Sequence, residues 1–269
     1  MFRPIENILV KLTINKEFGT FVTKLPPNHC QYKKHSIRNV SRNGINYYLD
    51  ISDLIDWFIY WGFQEVSMKK LFSLIREGDY VVDVGANVGA VTLNAAKLVG
   101  DKGRVFSFEP DPVNFIRLQR NFSLNKFDNI KLTSKALGDI EGKGFIRVVT
   151  ERNLGGNRLS TTGTPIEIIT LDDFIKREKI NRVDLIKIDT EGYEMHVLKG
   201  AIQTLKTFKP KLFIEIDDNN LKEQGASALE LIKYLENLGY KLTNAETDKE
   251  VNAKQDFSNC HFDAIGLTQ

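Results

Sequence analysis

From Gly78 onward, short apolar runs recur along the chain, and each is closed by polar residues, glycine or proline. The clearest runs read YVVDVG, RVFSFEP, VDLIKID and KLFIEID. Runs this short and apolar are typical of strands buried on both faces of a parallel sheet. Amphipathic stretches separate them: VGAVTLNAAKLV, PVNFIRLQRNFSLN, EMHVLKGAIQTLK and ALELIKYLENL. This alternation predicts right-handed crossovers in a doubly wound α/β sheet.

Two segments depart from this alternation. Residues 140–170 contain GKGFIRVVT, a Gly- and Thr-rich stretch and IEIITLDDF, which indicate a strand excursion before the fourth core strand. The final YKLTNAE and CHFDAIGLT have no helix between them. Since strands joined without a crossover helix pair antiparallel, we expect an antiparallel pair at one edge of the sheet.

The first 75 residues follow a different pattern. HSIRNVSRNGINYYLDI alternates around Arg42, Asn43 and Gly44, which predicts a β-hairpin. Ser52 is then the expected cap of an aromatic-rich helix, DLIDWFIYWGF, which forms either a lid or, more commonly for such stripes, a packing face. We therefore expect an N-terminal α+β extension over residues 1–75, a possible cover of the acceptor site, and a main domain over residues 76–269.

Composition narrows the functional classes. The 269 residues carry 37 basic and 35 acidic side chains, a net charge of +2, so we expect no nucleic-acid partner. No stretch reaches the roughly 18 apolar residues of a membrane span, and the start lacks a signal-peptide core, so we expect a cytoplasmic protein. Cys30 and Cys260 lie far apart without CxxC spacing, which argues against zinc or a disulfide and favours small buried hydrophobic positions.

The stretch VVDVGANVGAV predicts a strand, a tight turn and the start of a helix. Gly85 and Gly89 let the backbone approach a ligand closely, and the free N–H groups of the helix favour an anion. The turn lacks the middle glycine of GxGxxG, which counts against a nicotinamide dinucleotide. The second strand ends in FEP, where Glu109 is placed to accept both hydroxyls of a ribose.

With these motifs the chain resembles the FkbM family of class I S-adenosylmethionine-dependent methyltransferases. The matching pieces span about residues 78–216: VVDVGANVGAVTLNAA, FSFEPDPVNFIRLQRNFSLN, KALGD, ITLDDF, VDLIKIDTEGYEMHVLKGA and KPKLFIEI. The resemblance implies a Rossmann-like, mostly parallel, seven-stranded sheet with S-adenosylmethionine as cofactor. It also implies O-methylation of a hydroxyl on a sugar, glycolipid or secondary metabolite, with residues 76–269 as the methyltransferase domain. For that activity we expect residues 1–75 and the Gly- and Thr-rich loop 150–165 to shape the acceptor pocket.

The resemblance also assigns cofactor contacts. It implies that Asp83, Gly85, Asn87 and Gly89 surround the methionine part, and that Glu109 holds the ribose. The segment 135–139 would contact the adenine, with Ala136 and Asp139 as the expected residues.

Candidate catalytic residues lie in LIKIDTEGYE, residues 185–194. Asp189, at the carboxyl end of the fourth strand, is expected either to remove the acceptor proton or to orient the acceptor. Glu191 either caps the next helix or contacts substrate, and Glu194 is expected to be structural. Lys187 is expected to pair with an acid on its side of the strand. His196 is expected at a surface or packing position.

Several alternatives stay open at this point. Asp189 with Asp218 and Asn219 could imitate a Mg²⁺ or Ca²⁺ site, but the DDNN turn also reads as an ordinary loop, and we assign no metal. Glu215 is a rival candidate for acceptor binding. An NAD-dependent oxidoreductase and a catalytically inactive adenosyl-ligand binding protein are the competing functions.

Overall fold

The computed structural model describes residues 3–268. Its helices are α1 (Arg3–Thr13), α2 (Leu54–Trp61), α3 (Val66–Leu74), α4 (Ala90–Val99), α5 (Pro112–Ser123), α6 (Leu171–Arg177), α7 (Glu194–Lys199), α8 (Ile202–Phe208), α9 (Asp218–Glu223) and α10 (Ala228–Asn237). Its strands are β1 (Ile37–Arg42), β2 (Ile45–Asp50), β3 (Tyr80–Val84), β4 (Arg104–Phe108), β5 (Ile130–Thr133), β6 (Ala136–Leu137), β7 (Gly142–Arg147), β8 (Arg158–Ser160), β9 (Thr164–Ile169), β10 (Leu185–Ile188), β11 (Lys211–Asp217), β12 (Tyr240–Asn244), β13 (Glu250–Val251) and β14 (His261–Thr268).

The main sheet has the strand order β13-β12-β14-β11-β10-β3-β4-β5. Strands β5, β4, β3, β10 and β11 are parallel, and β14 runs antiparallel to both β11 and β12. The doubly wound, mostly parallel sheet is thus confirmed, with the two-residue β13 added to seven longer strands. The predicted terminal pair forms, but β14 is inserted next to β11, so β12 and β13 make the edge.

Alternate residues of the central strands pack into separate layers. Val81 and Leu185 belong to a cluster with α3 and α4, whereas Val82 and Ile186 belong to the cluster covered by α6, α7, α8 and α10. All four residues of β10 are buried. Burial on both faces explains why these strands read as continuous apolar runs, and it leaves their carboxyl ends as the edge where polar side chains gather.

Residues 136–169 form a second sheet with the order β6-β9-β7-β8. Strand β6 pairs parallel to β9, and β7 pairs antiparallel to β8 and β9. The predicted strand excursion is therefore confirmed. The connection between β7 and β8 passes over the carboxyl ends of the main sheet, where residues 153–157 line a cavity described below.

The predicted hairpin is also confirmed, since β1 and β2 pair antiparallel with Arg42 opposite Ile45. Asn43 and Gly44 both have positive φ, as a two-residue hairpin turn requires. The predicted helix cap was wrong: Asp53 caps α2 by accepting a hydrogen bond from the amide of Ile55. Ser52 lies one residue too early and its hydroxyl donates to Asp50 instead.

The extension packs on the helices of the main domain. Trp57, Tyr60 and Trp61 of α2 are buried in a cluster that includes Leu93 of α4, so the aromatic stripe is largely a packing face. Leu71 of α3 packs in the core cluster of the main sheet. The division at residue 75 stays a prediction, because α3 lies against both parts.

Two further expectations concern membranes and cysteines. Within residues 3–268, no helix is long and apolar enough to cross a membrane. Both cysteines are free thiols, but Cys30 is exposed, so its expected place in the core was wrong. It lies in a single 3-10 turn, His29–Gln31, none of whose residues is buried.

Candidate cofactor and active site

A cavity of about 360 Å³ lies at the carboxyl ends of β3, β4, β10 and β11. This is the edge at which ligands bind in open α/β sheets. Its lining contains seven of the residues singled out from the sequence as site residues or acceptor contacts: Gly85, Asn87, Glu109, Ala136, Asp189, Glu191 and Glu215. The fold thus brings together in one pocket residues that lie as far apart in sequence as Gly85 and Glu215.

The glycine turn after β3 touches the end of β10. Gly85 has a φ of +78°, and a Cβ on it would lie 1.9 Å from the carbonyl oxygen of Asp189. Only glycine fits there, because any side chain would force the two strand ends apart. Asn87 follows with a φ of +49°, a left-handed conformation that asparagine tolerates better than most residues.

Glu109 anchors the turn from the neighbouring strand. Its carboxylate accepts hydrogen bonds from the amides of Asn87, at 2.7 Å, and Asp111, at 2.9 Å. The side chain is 5% exposed, and burial raises its pKa to about 7 despite the two amide donors. Each oxygen keeps a free lone pair, so the carboxylate can still accept from a ligand hydroxyl.

Three of the predicted cofactor residues lie outside this cavity. Asp83 is fully buried beneath the turn and accepts a hydrogen bond from Thr92 Oγ1 at 2.6 Å. Gly89 faces α5, because a Cβ on it would lie 2.6 Å from Leu118 Cδ1. The Asp139 carboxylate lies 3.1 Å from His196 Nδ1. The structure thus gives all three packing or pairing contacts rather than direct contact with the cavity.

Lys187 joins the turn to the acids. Its ammonium donates to the carbonyl oxygen of Gly85 at 2.9 Å and lies 3.3 Å from Asp189 and 3.6 Å from Asp83. Burial alone would lower the pKa of this lysine, but the carboxylates of Asp189 and Asp83 outweigh burial and raise it. The predicted pairing of Lys187 with an acid on its side of the strand is therefore present.

Asp189, Glu191 and Glu215 form a carboxylate cluster in which one oxygen from each lies within 4.8 Å of the others. Asp189 is 42% exposed at the side chain, whereas Glu191 and Glu215 are largely covered. Burial and the charge of Asp189 raise the pKa of Glu191 to about 7. The same two causes raise the pKa of Glu215 well above its usual value.

The conformation of the turn after β10 explains how Glu191 reaches this cluster. Glu191 has a φ of +56°, and its carboxylate accepts from Asn220 Nδ2 at 3.0 Å. A Cβ on the next residue, Gly192, would lie 2.3 Å from the carbonyl oxygen of Asn220. The Glu191 side chain lines the cavity and does not cap α7, whose start has no side-chain cap. Glu194 instead holds the turn, because its carboxylate accepts from the amides of Thr190 and Gly192.

The metal combination considered from the sequence was wrong. Asp218 is buried and accepts from the amides of Ala228 and Asn259 while pairing with Lys222. Its carboxylate therefore holds the start of α10 instead of facing Asp189. Carboxylate oxygens close enough to share one ion belong to Asp189, Glu191 and Glu215.

The Gly- and Thr-rich loop 150–165 contains a strap, residues 152–157, that lies over the cavity, and sequence reasoning did not identify the contacts that hold it there. The carbonyl of Arg152 accepts from the amide of Leu54, and the amide of Leu154 donates to Asp53 at 3.0 Å. On the other side, Asn157 Nδ2 donates to Asp111 at 2.8 Å. The sequence signal was the run RNLGGN, whose small and polar residues suit close backbone contact, but its partners are remote in sequence.

The cavity suits a ligand with both polar and apolar parts. Among residues 3–268, the Oδ1 atoms of Asn87, Asn153 and Asn157 are buried without a hydrogen-bond donor. Phe108, Ala136 and Leu137 supply apolar wall near Glu109. Buried polar atoms are normally satisfied, so these asparagines fit a ligand that brings hydroxyl or amine donors, as an adenosyl amino acid does.

Residues 83–242 match the model of the methyltransferase FkbM domain. The chain belongs to the FkbM methyltransferase family. The matched segment runs from the glycine turn to β12, and it contains the whole carboxylate cluster. The family's cofactor, S-adenosylmethionine, is therefore the ligand with which the cavity is to be compared.

Three curated proteins show the range of relatives to which the chain is similar. The chain is 32% identical over 150 residues to the hexuronic acid methyltransferase AglP of Haloferax volcanii, an alignment covering 54% of this chain and 59% of the relative. It is 27% identical over 176 residues to the 2-O-methyltransferase NoeI of Sinorhizobium fredii, with 58% and 70% covered. It is 32% identical over 117 residues to a tRNA (guanine(37)-N(1))-methyltransferase of Danio rerio, with 43% and 22% covered.

The alignment with AglP spans less than two thirds of that relative's length. Because a tRNA methyltransferase is among the relatives, the comparisons do not support the predicted exclusion of nucleic acid.

A solved FkbM methyltransferase from Methylobacillus flagellatus aligns at 16% identity with a TM-score of 0.48, covering 98% of this chain and 58% of that one.

Proposed function

We propose that the chain is an S-adenosylmethionine-dependent O-methyltransferase that acts on a hydroxyl of a sugar, a glycolipid or another metabolite. The observation that carries the proposal is one cavity lined both by the cofactor-type residues Gly85, Asn87 and Glu109 and by the acids Asp189 and Glu191. The relatives named for hexuronic acid methylation and 2-O-methylation support a hydroxyl acceptor.

Residues around the glycine turn would hold the cofactor. Glu109 would accept the ribose hydroxyls, while Ala136 and Leu137 would cover the adenine. When bound, S-adenosylmethionine supplies a methyl group on a positively charged sulfur. Asp189 is placed to favour that charge, because it lines the cavity together with Gly85 and its carboxylate lies 3.3 Å from the Lys187 ammonium that holds it.

The acids would then handle the acceptor. Glu191 would accept the hydroxyl proton, since its pKa of about 7 makes it available as a base near neutral pH. Asp189, next to the Lys187 ammonium, would orient the hydroxyl oxygen. Holding the oxygen in line with the methyl group is worth roughly 7 to 11 kcal/mol of the barrier, and proton removal adds about 10² to 10⁴-fold.

We further propose that residues 1–75 and the strap form the acceptor side of the pocket. Leu54 and Ile55 of α2 line the cavity together with Asn153, Leu154 and Gly155 of the strap. Loops and appendages set substrate choice on a shared fold. Acceptor preference should therefore follow these segments more closely than the sheet.

Calorimetric titration with S-adenosylmethionine, S-adenosylhomocysteine and NADH, with and without EDTA, tests the cofactor. We expect micromolar binding of the two adenosyl ligands, no binding of NADH, and loss of binding in Glu109→Ala. A preference for NADH would instead favour an oxidoreductase. Thermal unfolding of the Glu109→Ala variant checks that loss of binding is not loss of fold.

Transfer is tested with a methyl-labelled donor and a panel of hydroxyl acceptors, with tRNA as a separate panel member. Alkali-stable label on a hydroxyl acceptor supports O-methylation. Label on tRNA alone would overturn the hydroxyl assignment. Adenosyl binding without transfer to any acceptor would favour an inactive binding protein.

A further inference from the structure

A second cavity of about 490 Å³ lies between α2, α3 and the start of α4. Its side walls are mainly apolar and are built by both the extension and the main domain: Phe58, Ile59, Phe63, Met68, Phe72 and Val91. Glu191 and Glu215 line the first cavity but not the second, whereas Asp189 lines both, so the two cavities differ in chemistry. A pocket of this size and lining suits the hydrocarbon part of a small ligand.

The two cavities meet at the reaction centre. Gly85, Asn87 and Asp189 line both, together with Leu54 and Ile55. The inner end of the second cavity is polar because Lys187 and Asp189 lie there, while its far end reaches the exposed Asn15 and Asn43. A molecule that fills it would therefore place a polar end beside Asp189 and an apolar segment between α2 and α3.

The geometry of methyl transfer gives the two cavities different occupants. In an in-line displacement the attacking oxygen and the departing sulfur lie on opposite sides of the methyl carbon. A cofactor held by Glu109 and Ala136 approaches the shared residues from the first cavity. The second cavity opens from those residues toward α2 and α3, on the acceptor side.

We propose that the second cavity binds a hydrocarbon segment of the methyl acceptor, so that the acceptor is amphipathic and presents its hydroxyl at Asp189. This inference rests on the proposed function. The apolar walls would recognise the segment by burial of its methylene groups, while Arg42, Glu65 and Lys69 add charged groups to the lining. Selectivity for segment length would then be set by the distance from the junction to the far end.

Alkyl β-glucosides of increasing chain length, from methyl to octyl, serve as the probe. Their binding is measured by calorimetry below micelle-forming concentrations, with S-adenosylhomocysteine present. Each added methylene should tighten binding about fourfold, as expected for burial of one CH₂ group, until the cavity is filled. A series in which affinity does not change with chain length overturns the inference.

Two variants that fill part of the second cavity test whether the alkyl chain binds there. Ile59→Trp narrows the cavity from α2 and Met68→Trp narrows it from α3, so either one suffices if the other does not fold. In both variants the affinity for the alkyl glucosides should no longer increase with chain length. The affinity for S-adenosylhomocysteine should stay within about twofold of the wild-type value. The matched control is Ile116→Trp on α5, where the side chain is 57% exposed and lines neither cavity. The Ile116→Trp variant should show the same increase of affinity with chain length as the wild type.

The outcomes separate this inference from the function on which it rests. Loss of S-adenosylhomocysteine binding in folded Ile59→Trp and Met68→Trp would assign the second cavity to the cofactor and overturn the inference. A chain-length series that survives in both variants would place the alkyl chain elsewhere. Wild-type protein that binds no S-adenosylhomocysteine would instead overturn the proposed function.

Discussion

Glu191 holds a backbone conformation that few glutamates adopt. Its φ of +56° is in the left-handed region, and the side chain is fixed by Asn220 with Arg158 3.7 Å away. Strain of this kind costs of order 1 to 3 kcal/mol and is common at functional sites. The carboxylate lines the cavity, where burial and the neighbouring charge of Asp189 raise its pKa.

Replacing Glu191 by glutamine tests its role as base. The rate constant kcat should fall about 10² to 10⁴-fold. In the wild type, kcat/KM should rise with pH to a plateau above about 7, because the Glu191 carboxyl must lose its proton to act as a base. In the variant, this rise of kcat/KM with pH should be absent. Glu223→Gln is the matched control, since Glu223 contacts the same Arg158 but is 54% exposed. Equal rates for wild type and Glu191→Gln would refute the assignment.

Glu109 predicts a pH dependence of stability. Its folded pKa of about 7 lies above the ordinary 4.5, so the folded state retains a proton that the unfolded chain releases. The contribution of Glu109 to the free energy of unfolding should therefore be fully present below about pH 4.5 and should fall by about 3 kcal/mol as the pH rises to 7. Glu191 adds a fall in the same window.

Glu109→Gln should flatten this fall, because the amide does not titrate. Urea unfolding without cofactor, at pH values on either side of the window, measures the difference. An unchanged slope in the variant would show that the pH dependence comes from other groups.

Single residues could be predicted from the sequence when position along a strand decides their place. Asp189 and Glu109 end parallel strands, and Gly85 begins a turn, so all three were predicted to face the ligand edge, where the structure places them. The sequence did not reveal that Asp83 lies outside the cavity, because its burial depends on Lys187 and Thr92 from other elements. The same holds for Asp139, whose partner His196 is set by tertiary packing.

At the level of elements, Asp53 has three partners and so connects α2, α5 and the strap. It caps α2, lies 3.3 Å from Arg117 of α5, and accepts from the amide of Leu154. The carboxylate of Asp53 thus contacts the start of α2, the guanidinium of Arg117 and the strap. The position of the strap over the cavity depends on it.

Asp53→Ala should lower the free energy of unfolding by about 2 kcal/mol, combining a lost cap with a partly unpaired buried arginine. Ser52→Ala is the control, and it should cost less than about 1 kcal/mol because Ser52 makes only a local bond to Asp50. Chemical denaturation compares them. A larger loss in Ser52→Ala would restore the cap assignment made from the sequence.

Elements with regular periodicity were predicted well, and those that depend on remote partners were not. The strands β3, β4, β10 and β11 follow from their apolar runs, since burial on both faces dictates composition. The insertion of β14 beside β11 depends on pairing between distant segments, which leaves no local signal. The strap follows the same rule, because Leu54 and Asp111 hold it from far away.

At the scale of the whole molecule, the extension and the main domain share buried contacts. Asn121 of α5 is fully buried, accepts from the amide of Tyr48 in β2 at 2.8 Å, and donates to the carbonyl of Val88 beside the glycine turn at 2.9 Å. The hairpin is thereby connected through one side chain to the backbone that follows Gly85 and Asn87. We expect a single cooperative unfolding transition.

Asn121→Ala should lower the free energy of unfolding by about 2 to 4 kcal/mol, because it leaves the partly buried N–H of Tyr48 and the buried carbonyl of Val88 without partners. Asn125→Ala removes a similar amide that bonds to Asn46 in an exposed setting, and should cost about 1 kcal/mol or less. Calorimetry with both variants provides the test. Two separate transitions in the wild type would mean that the two parts unfold independently.

The burial of Lys187 makes it a natural reporter in chemical labelling. Its side chain is 3% exposed, and its ammonium is held by two carboxylates and by the backbone of the glycine turn. Amine-acylating reagents attack only uncharged, accessible amines, so surface lysines should be modified while Lys187 is spared. Its acylation, followed by peptide mass spectrometry, would then record how often the turn separates from β10, and a bound nucleoside should slow that opening before any acceptor is known.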